Sequence, residues 1–490
     1  MPEFDVVVLG GGTAGVHVAS EVARGGRSVA IVEAGLVGGE SPYLACLPSK
    51  SLLQAAGRGE AWEHAVARRD EVSSNLDDAA AAARLVEAGV TFIRGTGHVA
   101  RPGTVEATAY GEGTGGPGGP GGIPGAAQVT SLDYTDLVIS TGSEPVAPPI
   151  EGLPDIPTWT SAEALSCPDL PRRLVVLGGG SAGCELAQIY AAFGSQVTLV
   201  EAENVLLPGE AAFTGEILAD ALRRTGAEVR LGAAAAKAER TDDGLALTLE
   251  DGTRIEADRV LLATGRRPRL SGLGLDNLGI DLKPGMALPV DATCRVMVAR
   301  TGQAAAGPAV ADDAAPGGAA APPGAAERGA DGGLWAAGDV TGIGTHTHTA
   351  NYQASVVAAN ILGRRREADY RAIPRAVFTM PAVFAVGASP QGAAEAGIPL
   401  TTAGFDLQGT ARAAVAGDGA GRVELYAHAE SGLLIGAAAV GPNAPDWMGE
   451  ITLAIRAGVP LAVLADTVHA FPTYGEALEP ALRELAGKVS

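Results

Sequence analysis

The sequence predicts an α/β fold built on two Rossmann-type dinucleotide-binding units. Residues 5–15 (DVVVLGGGTAG) and residues 173–183 (RLVVLGGGSAG) are near copies, 168 positions apart. Downstream, the runs VAIVEA and VTLVEA end in Glu33 and Glu201 at the same separation. Each copy therefore has the strand, glycine-rich turn, amphipathic helix and acid-ended second strand of a Rossmann unit. A length of 490 residues leaves room for about three domains.

Each copy carries the G-x-G-x-x-G spacing, in which the three glycines have separate tasks. The first allows a tight turn, the second lets a pyrophosphate approach the backbone, and the third lets the helix pack on the strand. The helix N-terminus then faces the diphosphate, and the acid takes the ribose hydroxyls. These roles fall to Gly10, Gly12, Gly15 and Glu33 in the first copy and to Gly178, Gly180, Gly183 and Glu201 in the second. One copy alone could be a plain glycine-rich turn, but two complete copies predict two bound dinucleotides.

Both units close with an apolar β run and a Thr-Gly turn. The two segments are DLVISTGSEP, with Thr141 and Gly142, and RVLLATGRRP, with Thr264 and Gly265. Glu201 is followed by AENVLLP, which has no arginine. It therefore favours a free ribose 2′-hydroxyl, and so NAD over NADP, although arginines elsewhere leave NADP open.

Composition limits the classes of partner. The chain has 56 acidic against 35 basic residues, a net charge of −21, which disfavours nucleic acid and anionic membrane surfaces. No apolar run is long enough to span a bilayer, and the N-terminus lacks a signal sequence, so we expect a cytoplasmic protein. Residues 111–125 and 302–333 are rich in Gly, Pro and Ala, and we interpret them as extended loops and not as binding elements.

Metal binding is not predicted. The four cysteines are too far apart for a zinc pattern and too few for a disulfide framework. His346 and His348 alternate in GTHTHTANYQ, but two histidines without further ligands are more often polar residues at a helix start. A position of His348 near one of the bound dinucleotides is the alternative.

The whole pattern resembles the class I flavoprotein (pyridine nucleotide-) disulfide reductase family, the group of dihydrolipoamide dehydrogenase, glutathione reductase and mercuric reductase. Beyond the two repeats, the resemblance rests on GGESPYLACLPSK (38–50), GGLWAAGD (332–339), AIPRAVFTMPAVFAVG (372–387) and HAFPTYGEA (469–477). It implies two Rossmann-type domains plus an α+β C-terminal dimerisation domain in a homodimer. The FAD-binding domain would cover 1–150 and 266–365, the NAD(P)-binding domain 151–265, and the dimerisation domain 366–490.

The resemblance also implies roles for single residues. Asp339 would contact the flavin ribityl chain, although an acid there could instead cap the next helix. Lys50, paired with Glu185, would lie near the flavin, where its ammonium stabilises negative charge and the carboxylate offsets its burial. Two separate solvated charges are the alternative. The expected cofactor-binding set also includes Ser41, Lys50, Thr141, Gly142 and Gly265, and the expected catalytic set is Cys46, Lys50, Glu185 and Glu476.

The chain departs from the family at the redox dithiol. Its C-x4-C form is reduced here to Ser41 and Cys46, and a hydroxyl cannot exchange with a disulfide. Cys167, Cys184 and Cys294 do not obviously replace the missing thiol. Three interpretations of Cys46 stay open. It is a buried structural thiol, it contacts or transiently bonds the flavin, or it cycles through sulfenic acid as in single-cysteine NADH peroxidases and oxidases.

A second departure lies near the C-terminus. The family has an acid–base histidine directly before Pro-Thr, where this chain has Phe471, while the orienting acid, Glu476, is kept. His469 matches only the non-catalytic first histidine of H-x-H-P-T. Phenylalanine transfers no proton, so the base that activates a dithiol is missing. Phe471, Tyr474 and Glu476, supplied by a partner subunit, would form a wall that suits a planar acceptor.

Together these features predict an FAD-dependent NAD(P)H oxidoreductase that passes electrons to a non-disulfide acceptor, either a quinone-like compound or a biosynthetic intermediate. The reverse flow, with NAD⁺ as the final acceptor, is equally allowed. A single-cysteine NADH oxidase or peroxidase that uses a Cys46 sulfenate is one alternative. A non-catalytic flavoprotein partner and a residual lipoamide or glutathione reductase are two others.

Overall fold

The structure is a computed structural model that describes residues 2–110, 128–297 and 332–489. The predicted loop at 111–125, and all but the last two residues of the one at 302–333, lie outside the described residues. The chain forms two compact units. The first comprises Met1–Cys46, Ser73–Glu144 and Arg266–Asp369, and the second comprises Leu47–Val72, Pro145–Gly265 and Tyr370–Ser490. Helices and strands are numbered along the chain.

The first unit is built on one six-stranded sheet. Its strands are β1 (Glu3–Leu9), β2 (Val29–Glu33), β3 (Val90–Arg101), β4 (Thr104–Ala109), β5 (Gln128–Ile139) and β16 (Leu334–Ala336). Strands β3, β2, β1, β5 and β16 are parallel neighbours in that order, which is the arrangement of a Rossmann unit. Strand β4 pairs antiparallel with both β3 and β5.

The two faces of this sheet are separate cores. Val6 and Val8 of β1 pack with apolar residues of helices α1 (Thr13–Arg24) and α9 (Thr347–Ile361). Val7 and Leu9 point to the other face. Because side chains alternate along a strand, a run such as DVVVLG is buried on both sides. The remaining helices of this unit are α2 (Glu40–Tyr43) and α5 (Ala79–Glu87).

The second unit repeats this plan. Strands β10 (Glu228–Arg230), β9 (Gln196–Val200), β8 (Arg173–Leu177), β14 (Arg259–Leu262) and β7 (Thr158–Trp159) form a parallel sheet in that order. A three-stranded antiparallel sheet follows, with β11 (Ala235–Thr241), β12 (Gly244–Leu249) and β13 (Arg254–Ala257). The helices of this part are α3 (Cys46–Gly57), which begins at the last residue of the first unit's opening segment, α4 (Trp62–Val72), α6 (Ser161–Ser166), α7 (Ser181–Ala192) and α8 (Ala212–Arg224).

The C-terminal part of the second unit is an antiparallel sheet with helices. Its strands, in spatial order, are β17 (Pro374–Val377), β18 (Ala382–Gly387), β21 (Leu434–Gly441), β20 (Arg422–His428) and β19 (Leu400–Asp406). The helices are α10 (Pro390–Glu395), α11 (Ala411–Ala416), α12 (Ala444–Trp447), α13 (Gly449–Ala457), α14 (Leu461–Ala465) and α15 (Leu478–Val489). Two short strands, β6 (Ser143–Pro145) and β15 (Arg266–Pro268), pair with each other.

Of the helices in the described ranges, none combines the length and apolar character that a bilayer crossing requires. The three predicted domains do not correspond one to one with the two compact units, because the predicted NAD(P)-binding and dimerisation domains both fall mostly in the second unit. They stay a prediction.

Candidate functional site

The first glycine-rich loop joins β1 to α1. Gly10 has a φ of +98°, and a Cβ there would lie 2.4 Å from the carbonyl oxygen of Ser140. A Cβ on Gly15 would lie 1.9 Å from the carbonyl oxygen of Gly10. Gly12 directly precedes α1, and a Cβ there would meet only the Cα of Gly39, at 4.0 Å. The outer glycines are therefore required by the fold itself, whereas the middle one borders open space.

The second loop, between β8 and α7, has the same geometry. Gly178 has a φ of +104°, and a Cβ on Gly183 would lie 1.9 Å from its carbonyl oxygen. Gly180 precedes α7, and no protein atom lies within 4 Å of the place its Cβ would take. An open helix N-terminus behind a glycine that leaves room is a cradle for a diphosphate. Both loops therefore fit a dinucleotide, and the assignment of the first to FAD and the second to NAD(H) stays a prediction.

The two acids hold these loops. Oε2 of Glu33 accepts a hydrogen bond from the Gly11 amide, and Oε1 accepts one from the Gly35 amide at 2.5 Å. In the repeat, the carboxylate of Glu201 accepts from the Gly179 amide at 2.5 Å and from the Glu203 amide at 2.8 Å. A carboxylate oxygen can accept more than one hydrogen bond, so these contacts are compatible with the predicted ribose contacts. Bracing of the loop is a second task, which the sequence reasoning missed.

The Thr-Gly turns fix neighbouring segments. Thr141 donates to the carbonyl of Arg269 at 2.6 Å, and the Arg269 amide donates to the carbonyl of Gly142 at 2.9 Å. Thr264 donates to the carbonyl of Val146 at 2.8 Å, and the amide of Val146 donates to the carbonyl of Gly265 at 3.1 Å. The threonine hydroxyls thus bind backbone carbonyls, and the cofactor-binding roles of Thr141, Gly142 and Gly265 stay predictions.

Asp339 belongs to a polar chain in the first unit. Its Oδ2 accepts from the Ser143 hydroxyl at 2.6 Å, and Nε of Arg266 donates to the same hydroxyl at 2.7 Å. Arg266 also donates to Glu40 at 2.7 Å. Asp339 opens a short 3-10 turn before α9 and does not cap that helix, whose N-cap is His346. Ser143 and Arg266 orient the aspartate, and their part was not predicted.

Ser41 and Cys46 are linked through a third residue. The hydroxyl of Thr347, the first residue of α9, donates to Oγ of Ser41 at 3.0 Å. The same hydroxyl lies 3.6 Å from Sγ of Cys46, within hydrogen-bonding distance for sulfur. Ser41 and Cys46 are both half-buried. The Thr347 hydroxyl therefore lies beside the thiol and links it to the Ser41 hydroxyl. Thr347 went unnoticed in the sequence, although His346 and His348 on either side were considered.

The other three cysteines have surroundings of their own. All four cysteines lie in described residues, and none of them forms a disulfide there. Cys294 is fully buried in the core between β1 and α9. Cys184 is fully buried and donates to the carbonyl of Gly179 at 3.2 Å, and burial raises the pKa of its thiol far above the ordinary value. Cys167, in the second unit, accepts a hydrogen bond from the Asp169 amide at 3.4 Å.

Lys50 and Glu185 form an ion pair in the second unit. Lys50 lies on α3, and its Nζ is 2.8 Å from Oε2 and 3.1 Å from Oε1 of Glu185, on α7. The side chain of Glu185 is 6% exposed and that of Lys50 is 34% exposed. A third donor, the amide of Phe378, reaches Oε1 at 2.9 Å. The structure therefore brings this predicted pair together, and the interpretation as separate solvated charges is wrong.

The C-terminal segment arranges its residues differently from the family pattern. Phe471 is 76% exposed in the single chain. Glu476, the expected orienting acid, accepts from the Arg412 amide at 3.1 Å, at the first turn of α11. His469 has an 8% exposed side chain and lies between Glu450, at 3.0 Å, and Glu479, at 3.5 Å. With no histidine before Pro472, Glu476 braces a helix end.

Two smaller predictions concern Tyr474 and the histidine pair. The hydroxyl of Tyr474 donates to the carbonyl of Asp418 at 2.6 Å, and burial raises its pKa. The rings of His346 and His348 stack, with centroids 5.1 Å apart. Within the described ranges, no group of three or more His, Cys, Asp or Glu residues is arranged to hold a metal ion.

Comparison with known proteins identifies the family. The model of the pyridine nucleotide-disulphide oxidoreductase family matches residues 4–301, and the model of its dimerisation domain matches residues 373–482. The dihydrolipoyl dehydrogenase of Geobacillus stearothermophilus is 31% identical over 97% of this chain and 94% of its own length. That of Staphylococcus aureus is 30% identical over 99% of this chain and 97% of its own.

Solved structures agree. A Cu(II) complex of a cysteine-to-serine mutant of the HOCl-induced flavoprotein disulfide reductase RclA from Escherichia coli superposes with a TM-score of 0.81 at 25% identity, covering 99% of each chain. LpdA from Mycobacterium tuberculosis shares the fold, with a TM-score of 0.78 at 24% identity over 99% of this chain and 100% of its own.

These similarities confirm the predicted resemblance and the α/β fold with its C-terminal dimerisation domain. They also confirm the prediction of an FAD-dependent, NAD-linked oxidoreductase. The roles of the individual site residues stay predictions. The chain belongs to the pyridine nucleotide-disulphide oxidoreductase family.

Proposed function

We propose that this chain is an FAD-dependent NADH oxidoreductase whose second substrate is not a disulfide. The acceptor would be a quinone-like compound or a biosynthetic intermediate, and the reverse flow toward NAD⁺ uses the same residues. The observation that carries the proposal is the surrounding of Cys46. The Thr347 hydroxyl lies 3.6 Å from its sulfur and donates to Ser41, which occupies the sequence position of the family's other thiol. Thiol–disulfide exchange needs an attacking thiolate, and neither hydroxyl can supply one.

The protein's own part in the reaction is to bind and orient. When bound, FAD supplies the two-electron chemistry between NADH and the second substrate. The loops at Gly10–Gly15 and Gly178–Gly183 would present helix N-termini to the two diphosphates. Asp339, oriented by Ser143 and Arg266, would hold the ribityl chain. The ammonium of Lys50, held by Glu185, would stabilise negative charge on the reduced cofactor.

The residues that we expect to face the second substrate favour a planar compound that is not a thiol. Phe471 stands where a dithiol reductase has its acid–base histidine, and its ring carries no titratable group. The dimerisation domain suggests a homodimer, and we propose that Phe471, Tyr474 and Glu476 face the acceptor from the partner subunit. A ring that is 76% exposed in the single chain is the kind of surface that such an assembly covers.

The test is an acceptor screen on the anaerobically reduced holoenzyme. NADH should bleach the flavin absorbance. A quinone should restore that absorbance and support many turnovers per flavin. Lipoamide and glutathione disulfide, used as the matched disulfide acceptors, should leave it bleached. Full turnover with either disulfide would overturn the proposal. A flavin that NADH fails to reduce would favour a non-catalytic flavoprotein instead.

A peroxidase that uses Cys46 is the second candidate. The Thr347 hydroxyl, 3.6 Å from the sulfur, favours it, because on turning away from Ser41 this hydroxyl can donate to an oxidised, negatively charged Cys46 side chain. The thiolate would attack a peroxide, displace one oxygen as alcohol or water and become a sulfenate, which NADH-derived electrons would return to the thiolate. In a Cys46→Ser variant, NADH-dependent peroxide turnover should then vanish. Unchanged peroxide turnover would remove this candidate.

A further inference from the structure

Glu185 serves two partners, and only one of them is the lysine. Its Oε2 accepts from Lys50, whereas its Oε1 accepts both from Lys50, at 3.1 Å, and from the amide of Phe378, at 2.9 Å. Phe378 directly follows β17. The carboxylate is almost fully buried, so each of these donors offsets part of the cost of removing its charge from water.

The segment that begins with Phe378 is held against α7 a second time. Gln188 lies one turn after Glu185 on α7 and is 2% exposed. Its side-chain oxygen accepts from the amide of Met380 at 2.7 Å, and its side-chain nitrogen donates to the carbonyl of Met380 at 2.8 Å. Three hydrogen bonds therefore fix the backbone of residues 378–380 relative to the face of α7 that carries Glu185.

The fixed backbone places the ring of Phe378 over the lysine. The Nζ atom of Lys50 lies 4.8 Å from the ring centroid, within the range of a cation–π contact. The phenylalanine is 43% exposed, so burial in a core does not account for its ring at this position. Of the three protons of the ammonium, two are directed to Glu185. The Phe378 ring and the Glu185 carboxylate together restrict the position of the Lys50 ammonium.

We propose that Phe378 is a positioning residue for the Lys50–Glu185 pair. Its amide donates to the Glu185 carboxylate, and its ring contacts the Lys50 ammonium. The position of the ammonium relative to the carboxylate is therefore fixed. This inference rests on the proposed function, in which Lys50 serves the reduced cofactor. Replacement of the ring leaves the backbone contacts and the Lys50–Glu185 pair in place and removes only the contact of the ring with the ammonium.

The experiment is a double-mutant cycle on the holoenzyme. Phe378→Leu is made in the wild-type and in the Lys50→Met background, with Phe378→Tyr as the conservative variant. Met380→Leu is the matched control, because the Met380 side chain packs at Gly57, where an added Cβ would lie 2.7 Å from its sulfur. The readouts are the single-turnover rate of flavin bleaching by NADH, the Kd of NADH, and the flavin midpoint potential with its visible spectrum.

We expect Phe378→Leu to slow bleaching by about 3- to 5-fold, the size of a partly exposed cation–π contact. It should shift the midpoint potential in the direction seen with Lys50→Met, and leave the Kd of NADH unchanged. Phe378→Tyr should restore the rate, and Met380→Leu should match the wild type. In the Lys50→Met background, Phe378→Leu should have no further effect.

An equal slowing by Phe378→Leu in both backgrounds would overturn this inference, because the ring would then act without the lysine. A wild-type rate and potential in Phe378→Leu would overturn it as well. If Lys50→Met itself left bleaching and potential unchanged, the proposed role of Lys50 would be wrong in the first place. The two failures are therefore distinguishable.

Discussion

The hydroxyl of Thr347 donates to Oγ of Ser41 at 3.0 Å and lies 3.6 Å from Sγ of Cys46. A hydroxyl has one proton, so while Thr347 donates to Ser41 it can only accept from a protonated Cys46 thiol. A Cys46 thiolate would require the hydroxyl to turn toward sulfur. The two positions that match the family's C-x4-C pattern thus carry one thiol and one hydroxyl, which cannot form a disulfide with each other.

Restoring the missing thiol tests this comparison. In a Ser41→Cys variant we expect a reversible disulfide with Cys46, because the substitution restores the family's C-x4-C spacing and both side chains approach the same Thr347 hydroxyl. The count of titratable thiols under denaturing conditions should fall by two on mild oxidation. Ser41→Ala serves as the control, and its count should not change. A Ser41→Cys variant that never forms the bridge would mean that the two positions are not matched for a dithiol.

The missing base should then limit turnover. Ser41→Cys alone should give little lipoamide-dependent activity, since Phe471 cannot transfer a proton. Adding Phe471→His should raise it by about 100-fold, at the low end of the range for general acid–base catalysis. Steady-state assays with NAD⁺ and dihydrolipoamide provide the measurement. High activity of the single variant would show that another group acts as the base.

The glycines of the second loop should separate binding from folding. Gly180→Ala should fold normally, because no protein atom lies within 4 Å of the added Cβ. It should nevertheless weaken NADH binding by about 10-fold or more, because the Cβ would block one contact with the diphosphate. Gly183→Ala should destabilise the fold itself, because its Cβ would lie 1.9 Å from a carbonyl oxygen. Gly209→Ala, also in open space, is the control. Titration calorimetry and thermal unfolding measure the two effects, and normal NADH binding by Gly180→Ala would contradict the assignment.

Thiol reactivity should divide the four cysteines. Only the thiolate reacts with disulfide reagents, and burial raises the pKa of Cys184 so that it stays protonated at pH 8. Cys294 is fully buried. In the native protein we therefore expect labelling at Cys46 and Cys167 and slow or no labelling at the other two, measured by mass spectrometry. Raising the pH to 9 should leave Cys184 unlabelled. Rapid native labelling of Cys184 would contradict its packing.

Much of this architecture is visible in the sequence because it is local. The glycine spacing, the acid at the end of the second strand and the Thr-Gly turns recur 168 residues apart, so the two parallel sheets and both loops could be predicted. The first glycines of the two loops, Gly10 and Gly178, also have nearly equal φ angles, +98° and +104°.

The contacts that orient the site could not be predicted in the same way. Thr347 meets Ser41 across 306 positions, and Phe378 meets Glu185 across 193. Neither pair has a periodicity or spacing that links its members, and Phe378 acts through a backbone amide, which carries no residue signature. The dual task of Glu33 and Glu201 was missed for the same reason, since their partners are glycine amides.

The electron capacity of the wild-type holoenzyme tests the central claim most directly. We propose that the bound flavin is the only two-electron acceptor, so anaerobic titration should bleach it completely with one equivalent of NADH per flavin. The number of titratable thiols should be the same before and after. A requirement for two equivalents, accompanied by the appearance of two new thiols, would reveal a working disulfide and contradict the account.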